Sequence, residues 1–327
     1  MATAFTKRLK KTTLYTVVSL LIISGILALQ NYPISAEPKP LLRMADTNNI
    51  KRNLAAIINT PQKRNYHNVA VLDSVADHIK REFSKFTNRV TLQPYKVADN
   101  WYSNVMASFG PENGERIIVG AHYDVCGEQD GADDNASGVA GILELASLLQ
   151  NETLRYRIDL VAYTLEEPPF FGTEHMGSYV HAKSLYDTKV PVKGMVSLEM
   201  IGYFSDAPNS QRYPLGFLKW WYGSKGNYIT IVQKSLCGSF AKEFKKLAFA
   251  NNSIATKSIR APSFFGGLDL SDHRNYWQFG YDAIMVTNTS FYRNVNYHKT
   301  EDVLGKLDIP KMGWVIDGVL RVLKEME

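Results

Sequence analysis

The chain has 327 residues, 45% of them hydrophobic, an ordinary globular composition long enough for one large α/β domain or two small ones. Four units of its formal charge of +5 come from the N-terminus, where Lys7, Arg8, Lys10 and Lys11 stand without an acid; the remaining 33 Lys and Arg face 32 Asp and Glu. A nearly neutral body argues against a nucleic-acid partner.

The basic start is followed by the apolar run LYTVVSLLIISGILAL at 14–29, and together they read as an export signal. Its length falls between the apolar region of a cleaved signal peptide and the roughly 20 residues that span a bilayer, so residues 1–36 are a signal peptide or a membrane anchor. Small Ser35 and Ala36 favour cleavage, although Ile34 is a mediocre residue two positions before Ala36. Residues 37–327 are then a single exported domain, periplasmic or secreted, touching a membrane only through an uncleaved anchor. Cys126 and Cys237 are the two cysteines. Outside the cytoplasm they can pair, and two free buried thiols remain equally open. Neither is matched with a base in a recognisable nucleophile pattern.

After a Pro-rich link at 31–39, helical spacing marks amphipathic helices at 46–58 and 68–86, the second with Val69, Leu72, Val75, Ile79, Phe83 and Phe86 on one face. Strands are expected at 90–97, 101–109, 116–123 and 157–165. From there strands alternate with helices: helices at 138–150 and 175–187 lead into the apolar strands 157–165 and 192–201. Continuous apolar strands between helices imply a sheet covered on both faces. Residues 204–226 have no clean period and read as an excursion, the kind of segment that often shapes a pocket. A strand at 228–233, a helix at 239–250, a strand at 283–288 and a last helix from Asp308 complete the domain. That last helix carries Ile309, Met312, Ile316, Val319 and Leu323 on one face.

In open α/β sheets the site lies beyond the carboxyl ends of the strands. His122 and Asp124 end one strand, Asp133 and Asp134 precede the helix at Ser137, Glu166 and Glu167 end a second strand, Glu199 ends a third, and His298 follows the last. Such a gathering without matching Lys or Arg repels itself, and a cation is the usual remedy. Imidazole with carboxylate suits zinc, and two His with several acids exceed the needs of one tetrahedral ion, so two metals sharing a bridging carboxylate fit better. Taken singly, plainer readings stand beside these: His122 as a strand-end histidine bonded to a carbonyl, Asp133 or Asp134 as a helix N-cap, Asp124 as a solvated loop acid. His175 and His181 read as core or surface residues.

In that order HYD, GADDNASG, LEEP, SLEMIGY, SDH and NYHKTED resemble the co-catalytic zinc aminopeptidases, a fold group that also holds glutaminyl cyclases and transferrin-receptor-like ectodomains. The resemblance runs from about Asn68 to the end. It implies a three-layer α/β sandwich whose central sheet is mixed and mostly parallel, and two zinc ions per chain. His122 and Glu199 would hold one ion, Glu167 and His298 the other, and Asp134 would bridge them. Glu166 would be the general acid/base, Asp124 would accept the other ring N–H of His122, and Tyr297 would hydrogen-bond a developing oxyanion, although a packing role suits it nearly as well. A cis peptide is implied after Asp134, and SDH at 271–273 reads as a structural helix cap with His273 no ligand. The chain departs from the commonest pattern at Glu199, where many relatives have Asp, which puts the metal preference in question.

The expected activity is removal of the N-terminal residue from peptides with a free N-terminus. The alternatives are glutaminyl cyclisation on a single zinc, a carboxypeptidase-like hydrolase, and a non-catalytic ectodomain. Asp134 follows His122 by only 12 residues and no lid insertion precedes Glu199, which favours the aminopeptidase over the carboxypeptidase. A two-metal donor set disfavours the cyclase, and an inert module has no need of it. Side-chain preference is left to the loop 204–226 and aromatics near Phe264, Phe265 and Phe291.

Overall fold

The computed structural model describes residues 31–236, 238–262 and 267–326, and before them 13–16, 18, 19 and 25. Most of the expected leader, Cys237, Phe264 and Phe265 lie outside the described residues. Among the described residues no helix is long and apolar enough to cross a membrane.

Nine strands form one sheet among these residues, ordered β1-β8-β7-β9-β6-β4-β5-β3-β2. Its centre is parallel: β5 (Arg157–Tyr163), β4 (Arg116–His122), β6 (Val192–Glu199) and β9 (Ala283–Thr287) run the same way and end at one rim. The flanks are mixed. β2 (Val90–Val97) and β3 (Asn100–Phe109) form an antiparallel hairpin on β5, while β7 (Ile229–Lys234) runs antiparallel to β9 and parallel to β8 (Thr256–Ala261).

The continuous apolar strands are explained by helices on both faces. Ile117, Val119 and Ala121 of β4 enter a large core beneath α1 (Thr47–Ile58), α3 (Gly138–Leu149) and α8 (Ile309–Glu325). Their neighbour Ile118 points the other way, into a smaller cluster with Tyr163, Ala182, Leu185 and Tyr276 under α4 (Gly177–Asp187) and α7 (His273–Gln278). Two further helices, α2 (Val69–Phe83) and α6 (Ser239–Asn251), pack on the larger face. The result is the three-layer sandwich. Where period and burial agree the expected elements are present, including α8, which Asp308 caps by accepting the Lys311 N–H at 3.0 Å.

Three features differ from the sequence reading. β8 was missed: TKSIRA carries Lys257 and Arg260, so it lacks the apolar run that marked the central strands, and it sits near the sheet edge. The edge itself is β1, Ser35–Ala36, antiparallel to β8, a paired strand within the stretch read as a Pro-rich link. Asn31 extends the pairing, its amide donating to Arg260 O at 2.9 Å and accepting from Arg260 N at 2.6 Å. Finally, the excursion at 204–226 contains a short helix, α5 (Leu218–Tyr222), anchored where the Tyr222 hydroxyl donates to Ser258 O at 2.9 Å.

Candidate active site

Each strand at the parallel centre ends by turning an acid or imidazole towards the same place. Leu165, immediately before the Glu166–Glu167 pair, has φ of 59°; Met200, immediately after Glu199, has 51°; His298 itself has 56°. These left-handed conformations are uncommon for residues with a Cβ and concentrate at functional sites. Between β4 and α3 the chain makes a kinked turn through Ala132–Ser137, in which Asp134 (φ −104°, ψ 95°) and Asn135 (φ −126°, ψ 35°) are non-helical and the peptide between them is cis. Gly131 opens that turn with φ of 56°, and a Cβ there would lie 2.2 Å from Asp134 O. Glycine is required by both conformation and space.

The turn is held by buried polar groups. Asp302 accepts from the Asp133 and Asp134 amides at 3.0–3.1 Å. Asp133 accepts from the Gly202 and Tyr203 amides at 2.9 and 3.1 Å and from the Asn288 and Asn294 side chains at 2.8 and 2.9 Å. Four donors make Asp133 a strut for two distant loops, and it takes no part in the cluster. Asn135 donates to Leu198 O at 2.8 Å and accepts from the Met200 amide at 3.0 Å, tying the turn to the end of β6. The buried Arg64 guanidinium donates to Tyr123 O and Gly131 O at 2.8 and 2.6 Å.

Around this scaffold six groups converge. His122 Nε2 lies 3.5 Å from Asp134 Oδ1, 3.5 Å from Glu199 Oε2 and 3.7 Å from Glu166 Oε2. His298 Nε2 lies 3.2 Å from Asp134 Oδ2 and 3.1 Å from Glu167 Oε2. Asp134 thus offers one oxygen to each histidine. Glu167 Oε1, Asp134 Oδ2 and His298 Nε2 are buried without a hydrogen-bond partner. Orphaned lone pairs of this kind need an explanation, and a cation supplies it. The donor atoms of His122, Asp134 and Glu199 lie within 4.8 Å of one another, as do those of Cys126, Glu167 and His298. These two sets fit two ions with Asp134 between them.

The electrostatics agree. Burial raises Glu166 well above the usual carboxylate range, His122 opposes this, and the Glu167 and Glu199 charges add to it. Burial with the Asp134 charge pushes Glu167 up to about 7 against the pull of His298, and burial raises Glu199 as well. Burial alone would lower the His122 imidazole, but Glu166, Asp124, Asp134 and Glu199 hold it well above its ordinary value; His298 is likewise lifted to about 10 by Asp134 and Glu167. Asp134, between two imidazoles, is held below the usual range despite burial. Three glutamates that resist ionising beside two imidazoles that resist neutrality describe a site short of positive charge.

All five residues named as metal ligands are therefore brought together, with Glu166 among them. Asp124 lies behind, Oδ1 at 3.5 Å from His122 Nδ1, and its two oxygens accept the Glu166 and Glu167 amides at 3.2 and 3.1 Å. Tyr297 stacks its ring on His298 with centroids 3.8 Å apart, and burial followed by the Asp134 and Glu167 charges raises its hydroxyl far above its ordinary value, so it keeps its proton. Of SDH, Ser271 donates to Glu199 Oε2 at 2.7 Å and His273 Nε2 contacts Leu268 O at 2.7 Å. Asp272 precedes α7 without capping it by a side-chain hydrogen bond, contrary to the expected role. Cys126 pairs with no described cysteine, and burial followed by the Glu167 and Asp134 charges pushes its thiol up to about 11. The reading missed Arg64, Asn135 as a tether, and Asp302. Asn135 sits in GADDNASG and Asp302 ends NYHKTED, whereas Arg64 stands in no motif.

The sequence profile of Peptidase family M28 matches residues 104–323. The Escherichia coli (strain K12) protein YfbL is 40% identical over 289 residues, covering 86% of this chain and 88% of its own. Leucine aminopeptidase 1 of Ajellomyces capsulatus (strain NAm1 / WU24) is 26% identical over 225 residues, 64% of this chain and 52% of that one. Among solved structures, the Legionella pneumophila LapA aminopeptidase superposes with a TM-score of 0.66 at 19% identity, covering 86% of this chain and 73% of its own. A glutaminyl cyclase from Fimbriiglobus ruber superposes with a TM-score of 0.64 at 16% identity, covering 89% and 98%. The two superpositions speak for the fold.

Proposed function

We propose, from the premise that the chain belongs to Peptidase family M28, that it is a zinc aminopeptidase working on two ions, with peptides bearing a free N-terminus as substrates. The convergence of His122 and Glu199 on one Asp134 oxygen, and of His298 and Glu167 on the other, carries this reading. Two bound ions supply Lewis acidity at the scissile carbonyl and a water acidic enough to be deprotonated near neutral pH. Glu166 is placed to take that proton and return it to the leaving amine, and its raised pKa suits both halves of the transfer. Asp124, fixed by the Glu166 and Glu167 amides, faces His122 Nδ1 at 3.5 Å, beyond a hydrogen bond in this structure, and is placed to accept the ring N–H and orient the imidazole when the two close. Tyr297 retains a proton with which it can donate to a developing oxyanion. A free α-amine would bind at a metal position or a nearby acid, and that would confine cleavage to the terminal residue.

The basic and apolar leader supports action outside the cytoplasm. A glutaminyl cyclase is the second reading, favoured by the fold likeness. It needs one zinc, whereas this chain keeps both halves of a two-ion donor set. An inert ectodomain is disfavoured because Glu166 is kept as well.

Glu166→Gln tests the assignment. The variant should bind the same two ions and lose roughly 10²- to 10⁴-fold in kcat, the range that a general acid/base contributes. An unchanged kcat would remove Glu166 from its role.

A further inference from the structure

Cys126 is the one thiol at this rim among the described residues, and no part of the aminopeptidase reading uses it. Its backbone is pinned on both sides: the Val125 amide donates to Arg64 O at 3.2 Å, and Gly127 O accepts from the Asn65 side chain at 2.8 Å. The clamp aims the side chain at the half of the site built by Glu167 and His298, where Sγ, a Glu167 carboxylate oxygen and a His298 ring nitrogen all lie within 4.8 Å of one another. Unpartnered buried atoms point to an ion there. Glu167 is 4% exposed, yet its Oε1 has no hydrogen-bond partner, and neither has His298 Nε2 or Asp134 Oδ2 beside it.

We infer that Cys126 is a thiolate ligand of the ion held by Glu167 and His298. This rests on the two-ion reading above. On binding, the sulfur–metal bond forms as the S–H bond breaks, and the proton leaves to solvent; no oxidant or reductant takes part. The consequence is asymmetry. With Cys126 the Glu167–His298 half would offer one donor more than the His122–Glu199 half, the two halves sharing Asp134. The thiolate-bearing position also prefers a softer ion than an imidazole–carboxylate site does.

The test is titration of the full-length chain, reduced and stripped of metal in detergent, with cobalt(II), read by absorption. A thiolate-to-cobalt charge-transfer band should grow in the near ultraviolet with one equivalent. It should persist in Cys237→Ser and vanish in Cys126→Ser. The Cys126→Ser chain should still bind one ion with wild-type affinity, which also reports its folding, and bind the other about tenfold or more weakly, the lower end of what loss of a supporting ligand contact costs. Cobalt bound without that band, or a band unaltered by Cys126→Ser, would overturn the inference and leave the two-ion reading standing. No cobalt bound at all would overturn both.

Discussion

At the scale of single residues, the acids of this site divide into those that face the metal positions and those that hold them. Asp124 belongs to the second kind. Its Oδ1 and Oδ2 each accept a backbone amide, and Oδ1 also faces His122 Nδ1. Asp124→Asn would put a donor where one of those amides needs an acceptor and would weaken the hold on the ring. We expect the ion at His122 to bind about 10- to 100-fold more weakly, the usual cost of removing such a partner. Competition with a chelator measures this, and unchanged affinity would leave Asp124 a loop acid. The convergence of His122, Asp134, Glu166, Glu167, Glu199 and His298 was legible in the sequence because each ends a strand or opens a turn within a short motif. What Arg64, Asn135 and Asp302 tie together was not, although the last two stand in those motifs. Asp302 meets the Asp134 amide across 168 residues of chain, and Arg64 reaches Gly131 across 67. No local pattern records where a chain folds back.

At the scale of elements, legibility followed burial. The four parallel strands announce themselves by apolar runs because both faces are covered, and α1, α2 and α8 by their one-sided spacing. β8 and β1 have neither mark, since an edge is defined by its neighbour. β1 nevertheless contributes hydrogen bonds: Ser35 and Ala36 pair with Lys257 and Thr256, Ser258 N donates to Ile34 O at 2.9 Å, and Lys245 Nζ donates to Asn31 O at 2.8 Å. A chain beginning at residue 37 should therefore be less stable than one beginning at residue 31. The expected difference is about 2 kcal/mol, a few partly buried hydrogen bonds at their modest net worth. Urea unfolding of the two chains decides it, and coincident midpoints would show that the edge adds nothing.

At the scale of the whole molecule, buried titratable groups tie stability to pH. His181 lies in the smaller core, its Nδ1 2.5 Å from the Tyr276 hydroxyl, and burial lowers it from 6.5 to about 4. The unfolded chain takes up this proton near 6.5 and the folded chain near 4. Between those values the unfolded state binds more protons, so this group's contribution falls as pH drops through the window and is constant above it. The stability advantage of the wild type over His181→Asn should hold steady above about pH 7 and shrink by on the order of 3 kcal/mol by about pH 4. A difference that does not change with pH would mean that His181 titrates normally in the fold.

The account's central claim is chemical: a two-ion site at the rim of this sheet removes residues from free N-termini. The most direct measurement incubates the zinc-loaded full-length chain with peptides bearing free, blocked and glutaminyl N-termini and reads the products by mass spectrometry. The account predicts loss of single residues from the free N-termini, none from the blocked ones, and no reaction once a chelator has removed the metal. Loss of ammonia from the glutaminyl peptides alone would contradict it in favour of the cyclase, and products unchanged throughout would contradict it in favour of a binding module.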